Sequence, residues 1–245
     1  IESNNTPVTV ASIDNVRLMS GTSRLTTLKG YKNGKTAQVQ LGVTLSDNRK
    51  YTDALGSTGT PLLPGLLAFS SDVATAITID STSGLATLVA NHYDFVYLSA
   101  STCSGSNSIV TGNVSVYANL SPEGADIDVG SFNERPVSEQ SIGSQFTVPV
   151  RVNTHGKTLK AFNVLVAYNA DDLEFVEVQH TVAANQGSVE FKPGRSAGNA
   201  DLENVCALAG LGNTCAVAVA TISNSKVKGS AAAIFEATFT VKSSS

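Results

Sequence analysis

The stretch QFTVPVRVNTHGKTLKAFNVLVAYNADDLEFVEVQ, residues 145–179, decides the fold class. Phe146, Val148, Val150 and Val152 alternate with Thr147, Pro149 and Arg151, a period of two that buries one side of a strand and wets the other. Residues 153–157, with Gly156, supply a turn. Phe162, Val164, Val166 and Tyr168 repeat the alternation, residues 169–172 turn again, and residues 173–178 make a third strand. There the apolar parity changes between Phe175 and Val176, which predicts a β-bulge. Three strands in succession imply antiparallel sheets packed as a sandwich. None of their residues is a catalytic candidate.

Working outward, the same signature recurs. Residues 234–241 set Phe235, Ala237, Phe239 and Val241 on one face and Glu236, Thr238 and Thr240 on the other. Upstream, Val39, Leu41, Val43 and Leu45 face away from Gln38, Gln40 and Thr44. Residues 8–18 read as one or two strands and residues 25–28 as one more. Phe69, the pair Ile77 and Ile79, and residues 85–89, 95–100 and 110–119 add strands about every ten residues, with no helical period. Residues 189–191 and 216–222 continue the pattern, and only the Ala-rich pieces 199–211 and 231–233 leave room for a helical turn. Pro122 and Gly124 punctuate SPEGAD (121–126), after which a fresh strand pattern begins. The expectation is an all-β chain of two consecutive β-sandwich domains, 1–121 and 122–245.

Charged residues are 15% of the 245, while Ser, Thr, Asn and Gly are plentiful, so the surface is polar through hydroxyls and amides. That suits a secreted or cell-surface protein. A start at Ile1 fits a processed secreted chain or a fragment. With a net charge of −4 and no Lys/Arg run, nucleic acid is not an expected partner. No apolar run approaches the roughly 18 residues of a membrane-spanning helix. GxSxG, HExxH, P-loop and closely spaced His/carboxylate patterns are all absent, and the chain is expected not to be an enzyme and to need no cofactor.

Cys206 and Cys215 flank the Gly-rich ALAGLGNT and are spaced to close a short disulfide loop, worth roughly 2–3 kcal/mol, the alternative being free buried thiols. Cys103 is left over, either free or available to another chain. Asn113-Val114-Ser115 and Asn119-Leu120-Ser121 are N-glycosylation sequons, as is Asn4-Asn5-Thr6. Asn113 and Asn119 share strand parity, opposite to Val114, Val116 and Ala118, so both are expected to face water. Glu123, Asp126 and Asp128 gather carboxylates at the domain junction, where calcium can stiffen a linker, although an ordinary solvated linker explains them as well. Tyr31, Tyr51, Tyr93 and Tyr117 are the aromatic candidates for sugar stacking, in a chain with 6% aromatics and no Trp.

LAFSSDVATAITIDSTSGLATLVA (67–90) resembles the bacterial Ig-like group 2 family. Phe69 stands where the family has Trp, followed by Ser70-Ser71, Ile77-Thr78-Ile79-Asp80 and Gly84-Leu85. The long 52–66 connection and the NHYD turn (91–94) depart from its pattern. Residues 143–150, 161–164, 168–176 and 235–241 resemble the cohesin-like family, which implies a jelly-roll-type sandwich that binds protein partners. Together these imply a structural or adhesive module of an extracellular filament or surface coat, whose partners are other subunits, copies of itself among them. The polar arm 1–7 with VTVASI is a candidate strand donor to a neighbour, although pairing of that strand within its own domain is the favoured expectation. The alternative is an extracellular binding module for a carbohydrate or a dockerin-like protein.

Overall fold

The computed structural model describes residues 8–54, 65–103, 109–180, 189–195, 207 and 215–242. Strand is nearly their only regular structure, arranged as β-sandwiches in two compact units. One unit is Ile1–Ser121 with Phe132–Pro136, and the other is Pro122–Ser131 with Val137–Ser245.

The first unit contains β1 (Val10–Ser20), β2 (Ser23–Leu25), β3 (Thr27–Gly30), β4 (Thr36–Leu45) and β5 (Lys50–Tyr51). It continues with β6 (Leu67–Ser71), β7 (Ile77–Ile79), β8 (Leu85–Leu88), β9 (Val96–Thr102) and β10 (Thr111–Leu120). One sheet has the order β2-β1-β4-β8-β7, with β5 on β4, and the other the order β3-β10-β9-β6. The single strand expected at 25–28 is split at Thr26. Leu25 pairs with Leu18 in the first sheet, whereas β3 crosses to the second and runs parallel to β10. The break follows from burial: Leu28 is fully enclosed in the core, which β3 reaches from the second sheet.

Val39, Leu41 and Val43 from one sheet share a buried cluster with Val96, Leu98, Val116 and Ala118 from the other. Full burial of each such side chain stabilises by about 1.5–3 kcal/mol. Phe69 joins this cluster, and a tight turn at residues 80–84 packs beside its ring. Asp80 Oδ1 accepts hydrogen bonds from the Thr82 and Ser83 amides, at 3.1 and 2.7 Å, and from the Ser83 hydroxyl. The Ser83 amide and hydroxyl, then the Thr82 amide, hold the Asp80 carboxyl below its ordinary value. Gly84 ends the turn at φ +71, where a Cβ would lie 3.2 Å from the Phe69 ring. Glycine is favoured there, on both conformational and steric grounds.

The second unit contains β11 (Ile127–Val129), β12 (Gln145–Val152), β13 (Leu159–Asn169) and β14 (Leu173–His180), followed by β15 (Val189–Arg195), β16 (Cys215–Val227) and β17 (Ala232–Val241). Its sheets have the orders β11-β12-β17-β14 and β13-β16-β15. The bulge expected in β14 is present: the pairing jumps from Phe175 to Glu177, and the extra residue Val176 is exposed. A second bulge, not foreseen, lies where Phe235 opposes Val150 but Ala233 opposes Arg151. It turns both Ile234 and Phe235 into the core.

Arg151, expected on the wet face, is buried instead. It donates from Nη2 to the carboxylate of Asp128, directly opposite on β11, and both side chains are 7% exposed. Edge strand β11 is therefore inverted, with its charge inside and Ile127 and Val129 outside. Burial pushes the Asp128 carboxyl above its ordinary value, against the opposing pull of Arg151.

Two outcomes follow for this pair. Asp128→Ala strands the guanidinium and is expected to lower stability to urea by about 3–5 kcal/mol, while Asp128→Leu with Arg151→Met recovers most of that loss. Between the ordinary carboxylate pKa and the raised one, the unfolded chain releases the Asp128 proton first. The stability of the wild type relative to the double variant should therefore fall as pH rises through that window.

Candidate functional site

In the second sheet of the first unit, Val114, Val116 and Ala118 of β10 point inward with Val96, Leu98 and Ala100 of β9. The opposite parity places Asn113, Ser115 and Tyr117 on the outer face. There Asn113 lies across from Ser99 and Ser115 from Tyr97. Phe95, just ahead of β9, stacks on Tyr117 with ring centroids 4.3 Å apart and planes at 18°, and Tyr97 tilts against Phe95 at 6.4 Å. Phe95 and Tyr97 are 37% and 44% exposed.

A cleft of about 560 Å³ opens beside this face. It is lined by Val16, Arg24, Thr26, Phe95, Asn113, Val114, Ser115, Tyr117 and Glu134. Its walls follow from local backbone irregularity. The pairing of β1 with β4 slips between Asp14 and Arg17, with Asn15 at φ 52. Ile13 and Val16 thereby press on Gly112 at the start of β10, where a Cβ would lie 2.8 Å from the Cγ2 of each. Arg24 and Thr26 stand where the chain crosses between sheets. Glu134 comes from Phe132–Pro136, the later segment that belongs to this unit.

That segment is held against β3 and β10. The Lys29 ammonium sits 3.9 Å from the centre of the Phe132 ring and donates to Asn133 Oδ1 at 3.1 Å. Arg135 lies over the Tyr117 ring. Asn119 donates its amide to the Glu134 carbonyl at 3.0 Å and is 1% exposed. This corrects the expectation that Asn119 faces water. Its parity is as read, but the returning segment covers it. Asn113, six residues earlier on the same face, is exposed.

The carboxylates at the junction do not converge. The Asp126 carboxylate accepts the Glu123 amide at 3.2 Å within a turn. Asn153, buried, fixes that turn by donating to the Pro122 carbonyl and accepting the Ala125 amide at its own carbonyl. Asp128, expected to share a side with Asp126, faces inward to Arg151 while Asp126 is exposed. Among the described residues, no group of three His, Cys, Asp or Glu side chains is placed to hold a metal. Asn4 and Cys206 lie outside the described residues, and of Cys215 only the backbone, at the start of β16, is described. Cys103 is free and exposed. Tyr31 and Tyr93 are exposed away from the cleft, Tyr51 packs against the core, and Tyr117 alone of the four lines the cleft. Sequence reasoning missed Phe95, whose position before a strand carries no signal of its ring pairing.

No protein-family model matches the chain, and no curated protein does. Among solved structures, the chain is similar to the surface layer protein SbsC, domains 1–6, at 12% identity and a TM-score of 0.34. The likeness covers 91% of this chain and 26% of that one, so the chain spans about a quarter of its length.

The two β10 asparagines provide a direct check on this geometry in protein made without glycosylation. Asn119→Ala is expected to cost about 0.5–1.5 kcal/mol in urea unfolding, because it removes the hydrogen bond by which a buried amide holds the returning segment. Asn113→Gln should stay within about 0.5 kcal/mol of the wild type.

Proposed function

We propose that the chain is a non-enzymatic structural or adhesive module of an extracellular assembly, a filament or surface coat, acting through protein contacts. In this reading a group 2 Ig-like sandwich precedes a cohesin-like one, and the partners are other subunits, copies of this chain among them. The supporting observation is β13. This strand of 11 residues pairs only with β16 among the described residues, which makes it a sheet edge. Lys160 is its one charged residue and sits at the irregular step of its pairing, and the nine residues 161–169 that follow carry neither charge nor proline. Proteins that stay apart blunt such edges with lysines, prolines or bulges, because a long unpaired strand templates another chain. The low charge and hydroxyl-rich composition of the whole chain accord with such a role.

The test is native particle mass, by light scattering with negative-stain images of the same fraction. The expected result is a regular polymer or concentration-dependent oligomer, shifted toward the monomer by Leu165→Lys. Leu165 is chosen because its side chain on β13 is already 37% exposed. A monomer at all concentrations would refute self-assembly through these residues.

A further inference from the structure

We infer that the cleft of the first unit is a seat for an N-linked glycan carried by Asn113, whose first sugars lie against the sandwich instead of swinging free. The inference rests on the extracellular reading above, because the modification requires a secretory transferase. Its starting point is a coincidence of sequence and shape: Asn113-Val114-Ser115 is a sequon, and both its asparagine and its serine line the cleft. Attachment occurs on the unfolded chain. The Asn113 amide nitrogen attacks C1 of an oligosaccharide held on a lipid pyrophosphate. The new C–N bond forms as the C1–O bond breaks, the lipid pyrophosphate departs, and the amide gives up one proton to the transferase. Folding then brings the cleft walls to the sugar.

Those walls suit a neutral polyhydroxyl group. Arg24 and Glu134 bring one charge of each sign to the cleft lining. The guanidinium supplies donors, the carboxylate supplies acceptors, and the hydroxyls of Thr26 and Ser115 do both, which matches the hydroxyls of a sugar ring. Phe95, partly exposed above its stacked partner, offers an apolar surface for the C–H face of that ring. The volume lies within the range of small-ligand sites. Asn119 is an internal contrast on the same strand. It also heads a sequon, but the returning segment leaves no room for a sugar there.

The test secretes the full chain from a eukaryotic host and maps its glycopeptides by mass spectrometry. In the folded, secreted protein Asn113 is expected to be occupied and Asn119 bare, because a chain glycosylated at Asn119 cannot close the returning segment over it. The glycosylated protein should melt about 2–4 °C above Asn113→Gln from the same host. That difference should vanish when both are compared in a Phe95→Ala background, as for two coupled groups. A bare Asn113 would overturn the inference, and so would an occupied Asn113 with no melting difference. Retention of Asn113→Gln on a glycan array, together with a bare Asn113 in the wild type, would also overturn it by assigning the cleft to an external saccharide. Particle mass separates this from the assembly reading: a regular polymer with a bare Asn113 defeats only the glycan seat, and a monomer stabilised by its Asn113 glycan defeats only the assembly.

Discussion

A side-chain period of two is the constraint on which both sandwiches depend. Two sheets share a core only while each strand keeps one apolar face toward the other sheet, and a slip of one residue turns that face to water. The chain keeps this register and spends an extra residue wherever the apolar sequence falls out of step. Val176 is such a residue in β14, and the irregular step between Phe235 and Ala233 is another. In β1 the slip around Asn15 does more than restore register. It drives Ile13 and Val16 onto Gly112 and raises one wall of the cleft.

The strands were legible because each answers to its own alternation. The runs at 38–45, 146–152 and 235–239 declare their inner faces without reference to any partner, and the bulge in β14 shows as a change of parity within one strand. What stayed hidden depends on segments distant in sequence. Arg151 sits at an outward position of its own strand, and only the arrival of Asp128 on β11 makes that position an interior. Asn119 has the outward parity expected of it, yet a segment some fifteen residues later lies over it. The division of residues 23–30 between two sheets likewise depends on β10 being there to receive β3. Of the cleft, Asn113 and Tyr117 could be found from sequon and composition, but Arg24, Phe95 and Glu134 could not, because no pattern links them along the chain.

Surface chemistry unites the two functional inferences. With few ionic groups, the outer faces present hydroxyls, amides and rings, and such groups make short-range contacts without strong fields. The same economy leaves β13 with little charge along its edge and leaves the lining of the cleft with one charge of each sign. An extracellular module of this kind would associate through fit and hydrogen bonding more than through electrostatic steering, with association little altered by ionic strength.

The position of β17 has a consequence for how the second unit comes into being. Among its described strands β17 is last in sequence, yet it lies in the middle of its sheet, between β12 and β14. Until residues 232–241 arrive, those two neighbours have no common partner, and Phe235 and Phe239 are missing from the core they anchor. β12 and β14 therefore cannot be joined in one sheet until the end of the unit leaves the ribosome. This unit closes late and cooperatively, through contacts of long sequence separation that favour slow folding. A ribosome stalled before residue 232 would hold out β12 and β14 without the strand that joins them.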